Sequence, residues 1–390
     1  MKSSFLLASA SALIFAACQS GNTQQAENCT VGLCPKAFGE ATVDGKTVKL
    51  YTLINKSGAV AQFTNMGAKL VSLYMPDRNG KLDDIVLGYA TAKEYAECDN
   101  ATGKGEPFFG ATIGRYGNRI ANGKFSIDGT EYTVDQNEGT NSLHGGRKGF
   151  YAQVWDADQD GNQKITFRYT SPDGEMGFPG NLKTILTYTL TDDNKLIISY
   201  EAETDKPTVV NLTHHSFFNL NGEDDESIND EEIRIVADAI TPVDDKLIPT
   251  GELMSVDGTP FDFRTSHLIS DSLESQHEQF LLGKGYDHNF VLSDCPDEDG
   301  LRFAAEVKDK QSGRVMKVFT TEPGIQFYAG NFLNATQKGK SGKLYPHRSG
   351  LCLETQHFPN TPNTPAFPQC QLNPGEKYKH VCVYAFSAEK

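Results

Sequence analysis

Two adjacent histidines, His214 and His215, stand inside the apolar, amide-rich run "NLTHHSFFNL" (211–220), and Glu354 follows the apolar "LCL" in "GLCLETQHFPNTPN" (350–363). Imidazoles and carboxylates exchange protons readily near neutrality, so one of each brought together would make a general acid–base pair. Other segments place polar side chains among glycines: Arg119 in "GRYGNRIANGKF" (114–125), His144 in "TNSLHGGRKGF" (140–150), and adjacent Asp287 and His288 in "GKGYDHNFVL" (283–292). Most of these have a plain structural explanation. A lone arginine is usually a surface cation or half of an ion pair, and a histidine before two glycines can occupy a turn. His214 and His215 alternate across a strand, so at most one is expected to point inward, where a histidine is more often hydrogen-bonded core than catalyst. Glu354 is harder to dismiss, because a carboxylate at the end of an apolar strand is expensive to bury unless it is paired or functional.

The elements that must position these residues read as strands. "TVKLYTLIN", "AVAQFTNMGAKLVSLYM", "KITFRYT", "LKTILTYTL", "KLIISYEAE" and "LRFAAEVKD" are short, rich in β-branched and aromatic residues and partly alternating. Turn signals such as "DRNGK", "IDGTE", "DQDGNQ" and "TDDNK" separate them. Helical periodicity is confined to "TAKEYAE" (91–97) and "HLISDSLES" (267–275), each predicted as a short helix at most. Many strands with few helices predict an all-β antiparallel sandwich or barrel, and such folds often exceed 150 residues as one unit. The insertion "NGEDDESINDEE" (221–232) holds seven carboxylates without the alternating spacing of a calcium loop, which predicts a solvated acidic loop. With 36 Lys and Arg against 51 Asp and Glu, the net charge of −15 repels a phosphate backbone and disfavours nucleic acid as a partner.

The N-terminus follows a different logic. Lys2, the apolar "FLLASASALIFAA" and then Cys18 match a secretory signal, and Ala16-Ala17-Cys18 resembles the end of a bacterial lipoprotein signal, in which the cysteine is lipidated. The apolar run is too short for a comfortable transmembrane helix. The expected organisation is a signal peptide over 1–17, a polar tether over 18–36 and one domain over 37–390, the mature protein being held outside the cytoplasm by its lipid anchor alone. Seven cysteines then remain, an odd number, and Cys29 with Cys34 could close a small loop in an oxidising compartment. No pair has the tight two-residue spacing of a zinc knuckle, so no metal site is expected.

Taken together, the polar segments resemble the aldose 1-epimerase (galactose mutarotase) family from about residue 40 to the C-terminus. Asn141 to Gly146 meet its Asn-x-Leu-His-Gly-Gly pattern, "GYDH" its Gly-aromatic-Asp-His, "PGIQFY" (323–328) its Pro-x-x-Gln-x-Tyr, and residues 353 to 356 its Leu-Glu-Thr-Gln. Residues 211 to 220 meet the histidine motif with two departures, His214 for the usual Asn and Phe217 for the usual Tyr. The resemblance implies a large galactose mutarotase-like β-sandwich. It also implies His215 as general acid, Glu354 as general base, and Arg119, His144, Asp287, Asn118 and Gln326 as sugar-binding residues; His214 receives no role.

Mutarotation needs a base to take the proton of the C1 hydroxyl and an acid to protonate the ring oxygen as the C1–O5 bond breaks, and it requires neither metal nor organic cofactor. A carboxylate such as Asp287 near His215 is expected to favour the charged imidazole. The expected substrate is a small free aldohexose such as galactose or glucose. The alternatives are a hexose-6-phosphate epimerase, which should show an additional cluster of Arg or Lys, a related glycoside-cleaving enzyme, and a carbohydrate-binding lipoprotein without catalysis.

Overall fold

The computed structural model describes residues 31–97, 107–293 and 295–390. Antiparallel strands dominate it. A nine-stranded sheet runs in the spatial order Asp156–Asp160, Lys164–Ser171, Leu182–Leu190, Lys195–Thr204, Tyr378–Ala388, Arg314–Thr320, Arg302–Lys308, Glu232–Ile235 and His267–Leu268. Leu182–Leu190 shows why one face of this sheet meets water: its even-numbered residues are buried and its odd-numbered ones exposed or half-buried, the period-2 pattern of a strand packed on one side.

Two smaller sheets contain strands buried on both faces. One has four strands, Leu50–Ile54, Val60–Thr64, Lys69–Pro76 and Leu82–Asp84; the other has five, in the order Met254–Ser255, Ala237–Ile240, Asp287–Leu292, Gly324–Tyr328 and Cys352–Gln356. Every residue of Val60–Thr64, Gly324–Tyr328 and Cys352–Gln356 is buried. The core joins the three sheets, with Phe63 from the four-stranded sheet, Phe167, Leu186 and Tyr188 from the nine-stranded one, and Phe290, Ile325, Phe327 and Leu353 from the five-stranded one. Each such large apolar side chain contributes about 1.5–3 kcal/mol on burial. Because successive side chains point to opposite faces, Leu353 and Thr355 face one way and Cys352, Glu354 and Gln356 the other.

Several expectations change. The stretch 267–275 is no helix: His267–Leu268 pairs with Ile233 and Glu232 at the sheet edge, and only a 3-10 turn, Ile269–Ser272, follows. Strand pairing and burial of Ile269 override its weak helical pattern. The expected helix at 91–97 is present as Ala92–Glu97, and helices Pro35–Phe38 and Glu278–Leu282 join it. Packing also begins before Ala37, since the Leu33 N–H donates to Gln62 Oε1 at 2.7 Å and Gln62 Nε2 donates back to the Leu33 carbonyl at 2.9 Å. The acidic insertion is not simply solvated. Glu223 and Glu231 are buried, Glu223 accepting from the Tyr345 hydroxyl and Glu231 from the Leu220 N–H.

The signal segment, Cys18, Cys29 and Cys98 lie outside the described residues. Among the described residues Cys295, Cys352, Cys370 and Cys382 form no disulfide, and no helix is long and apolar enough to cross a membrane.

Candidate active site

A pocket of about 910 Å³ opens on the far side of the five-stranded sheet from the core, and His215, Glu354, Arg119, His144, Asp287 and Asn118 all line it. Strand Thr213–His215 pairs with Ala111–Ile113, placing His215 opposite Ala111. The alternation of the two histidines is present, yet both are buried, at 2% exposure for His214 and 5% for His215. This strand lies inside the molecule with one side towards the core and the other towards the pocket, so both histidines are buried and the expectation that only one points inward fails. His214 shares a hydrogen bond with Ser216 Oγ at 2.9 Å and meets the Tyr188 ring edge-on. His215 faces the pocket, boxed by the rings of Phe108, His144, Phe217 and Tyr328.

Its Nε2 lies 3.7 Å from Glu354 Oε1, and its Nδ1 lies 3.4 Å from Cys352 Sγ. Glu354 projects from the middle of Cys352–Gln356, directly opposite Gln326 on the neighbouring strand. Gln326 in turn donates from Nε2 to Asp287 Oδ1 at 2.8 Å, which orders the carboxylate of the "GYDH" segment. Gln326 is itself buried beneath the pocket wall.

On the other side, Arg119–Ile120 pairs with Ser142–Leu143. Asn118 (φ 61°) and His144 (φ 53°) lock the two segments together. The Asn118 N–H donates to His144 Nδ1 at 3.1 Å, the His144 N–H donates to the Asn118 carbonyl at 3.1 Å, and the Arg119 N–H donates to Asn118 Oδ1 at 2.9 Å. A glycine must follow His144: Gly145 has φ 84°, and a Cβ there would stand 2.0 Å from the Gly114 carbonyl oxygen. Since a backbone N–H can only donate, Nδ1 of His144 is an acceptor, and the neutral ring carries its proton on Nε2. His144 is therefore a donor into the pocket.

Nitrogen and oxygen atoms of His144, His215 and Glu354 lie within 4.8 Å of one another, a spacing that would also suit a metal ion. The His144 tautomer argues against that use, because one ring nitrogen already accepts a hydrogen bond and the other holds the proton. The donor set fits proton transfer better than ligation.

Arg119 is a buried member of an ion pair and not a surface cation. Its Nε and Nη2 donate to the two oxygens of Glu138 at 2.7 and 2.6 Å. Burial works against its charge, but these bonds and the Glu138 charge outweigh that and hold the guanidinium above its ordinary range. Glu138 was invisible to sequence reasoning, since nothing in its spacing marks it. Glu138→Gln keeps the shape and weakens the fork, so a loosened Arg119 should raise KM for a sugar about 3–10-fold with a smaller change in kcat. Steady-state kinetics check this; a collapse of kcat at constant KM would place Glu138 in the chemistry instead.

Burial dominates the proton balance. It pushes Glu354 well above the ordinary carboxylate range, with the Asp287 charge adding and Arg119 opposing. It also pushes His215 down to about 3 and His144 well below its usual value. The expectation that Asp287 keeps His215 charged is thus not met; the carboxylate beside His215 is Glu354, and desolvation wins. Burial thus raises Glu354 and lowers His215, so a single proton shared by the pair is drawn towards Glu354. Burial favours the uncharged arrangement, with that proton on Glu354, and moving it to His215 needs none from solvent.

The sequence model of the aldose 1-epimerase family matches residues 49–385. The chain belongs to the aldose 1-epimerase family. Galactose mutarotase from Sus scrofa is 44% identical over 357 residues, covering 92% of this chain and 99% of the relative. Aldose 1-epimerase from Escherichia coli (strain K12) is 40% identical over 348 residues, covering 89% and 97%. Among solved structures, an aldose epimerase homologue from C. elegans superposes with a TM-score of 0.79 at 32% identity, covering 88% of this chain and 100% of that one. Galactose 1-epimerase from Lactobacillus acidophilus gives 0.77 at 28% identity, covering 90% and 97%. Aldose 1-epimerase membership and these neighbours agree with the all-β fold expected from the strand pattern.

Proposed function

We propose that the protein is an aldose 1-epimerase, a mutarotase that interconverts the α and β anomers of free aldohexoses such as galactose and glucose. The observation that carries this reading is the 3.7 Å approach of His215 Nε2 to Glu354 Oε1 in a pocket that Arg119, His144 and Asp287 also line. In ring opening the Glu354 carboxylate takes the proton of the C1 hydroxyl, the C1–O5 bond breaks to leave an aldehyde at C1, and His215 gives its proton to O5. The aldehyde turns about the C1–C2 bond. Closure on the other face reverses both transfers, returning a proton from Glu354 to O1 and one from O5 to His215, so the pair ends as it began.

The other residues hold the sugar. His144 donates from Nε2 and Arg119 from its guanidinium, while Asp287, steadied by Gln326, accepts from hydroxyls. Asn118 acts through His144 and Arg119. Arg119 is already occupied by Glu138, and Lys246 and Lys284 are the other cations of the pocket lining, so the neutral-sugar reading rests on the hydroxyl-binding set of His144, Arg119 and Asp287.

Polarimetry on freshly dissolved α-D-glucose and α-D-galactose is the direct test. Purified protein should hasten the approach to equilibrium rotation for at least one of them, and no acceleration of either would sink the proposal. A clearly higher kcat/KM for glucose 6-phosphate would move the substrate to phosphosugars.

We further propose that the chain is exported and anchored through a lipid on Cys18, facing an extracytoplasmic compartment. Lys2, the short apolar run and the Ala-Ala-Cys ending support this. In two-phase detergent extraction the wild type should enter the detergent phase and Cys18→Ser should not. A wild type that stays aqueous would mean simple secretion.

A further inference from the structure

Behind Glu354, away from His215, lies a row of polar side chains that the reaction does not use. Asn289 stands opposite Gln326 across neighbouring strands, and Gln326 opposite Glu354. Thr241 extends the row, its N–H donating to the Asn289 carbonyl at 3.0 Å. Gln356 lies opposite Gly324, on the same face as Glu354 and one step further along. The missing side chain of Gly324 makes the room: a Cβ there would come within 2.5 Å of Asn289 Oδ1.

Asn289 is 1% exposed and Gln356 0%. Both atoms of each amide lack a hydrogen-bond partner among the described residues, as do Gln326 Oε1, Glu354 Oε2 and the Thr241 hydroxyl. The imbalance has a pattern. Gln326 spends its amide N–H on Asp287, which leaves its oxygen on the row, and Glu354 offers Oε1 to His215, which leaves Oε2. Two amide groups thus bring N–H donors to a row whose other members are mainly acceptors, yet none of these atoms is bonded to another. Buried polar groups left this way cost free energy comparable to a lost hydrogen bond, and proteins meet that cost with internal water making about three bonds per molecule.

We infer that Asn289 and Gln356 hold a small cluster of water against the back of Glu354 and so supply, at one remove, the hydrogen bonds that aim this carboxylate and stabilise its charge. This rests on the role proposed for Glu354. The groups facing Glu354 from the surrounding elements are His215, His144, Asp287, Arg119 with its partner Glu138, Tyr328 and Cys352. Arg119 is the cation among them, and it is shared with Glu138. Asn289 and Gln356 are positioning residues, since neither lines the pocket.

Two measurements test the inference. A high-resolution crystal structure of the wild-type protein should show ordered water bonded to Asn289, Gln356 and Glu354 Oε2; amides bonded directly to one another with no water would overturn it, whatever the activity. Asn289→Leu keeps the volume and removes the donor. It should lower kcat about 10–100-fold, leave KM within about twofold, and move the alkaline limb of the pH profile upward by about one unit. Asn289→Ser, which keeps a donor and leaves space for another water, should recover most of the rate. If Asn289→Leu is poorly folded by thermal unfolding, Gly324→Ala displaces the same amide and should shift the same limb. An unmoved limb in a folded variant would reduce the row to a structural feature.

Discussion

Glu354→Gln should lower kcat for anomer interconversion by about 10²–10⁴-fold while disturbing KM much less, because the amide keeps the shape of the side chain and cannot accept the C1 hydroxyl proton. The pH dependence should change with it. In the wild type the His215–Glu354 pair works with one proton, so kcat/KM should be bell-shaped: a second proton silences the pair at low pH, and loss of the last one silences it at high pH. Burial raises Glu354, which holds the last proton, so the alkaline limb should lie above the ordinary carboxylate range. Residual activity of Glu354→Gln should lose that limb, since no carboxylic acid remains to give up the last proton. A full rate with an unchanged bell would remove Glu354 from the chemistry.

His215→Asn should cost a similar 10²–10⁴-fold in kcat, whereas His214→Asn should stay active. The two residues are neighbours in sequence, but the strand sends them to opposite sides, His215 to Glu354 and His214 to Ser216 and Tyr188. Asn at 214 can still bond Ser216, and its smaller volume should cost stability and not turnover. Combining His215→Asn with Glu354→Gln should lose less than the product of the single losses, because acid and base serve one event and either loss already disables it. Polarimetric rates of the four proteins decide this. An inactive His214→Asn beside an active His215→Asn would reverse the assignment.

The legible part of the site was the part with a local cost. A carboxylate within "LCLETQ" announces itself because burial makes it expensive, and the structure places Glu354 at 2% exposure. The strands were legible for the same kind of reason, since alternation in "LKTILTYTL" is a one-dimensional record of a sheet with one wet face. Reading the two histidines through that pattern misled, because every residue of their strand is buried. What depended on distant partners left no trace in the spacing. Glu138 is an unremarkable residue until Arg119 folds against it, and Glu223 looks like one more acid in a charged loop until Tyr345 arrives from 122 positions away. His267 and Leu268 read as helix until Glu232 and Ile233 offer an edge to join.

The outer wall of the pocket includes Phe332, Asn334, Thr336 and Gln337, and the segment beyond it is fastened to the rest of the protein. Lys340 is buried in an ion pair with Asp84 at 2.8 Å and also donates to the Val71 and Val86 carbonyls, while the Tyr345 hydroxyl lies against Glu223 and the Gly88 carbonyl. That side of the doorway is thereby pinned to the four-stranded sheet and to the acidic insertion. A wall so pinned is expected to let sugars come and go without being lifted aside.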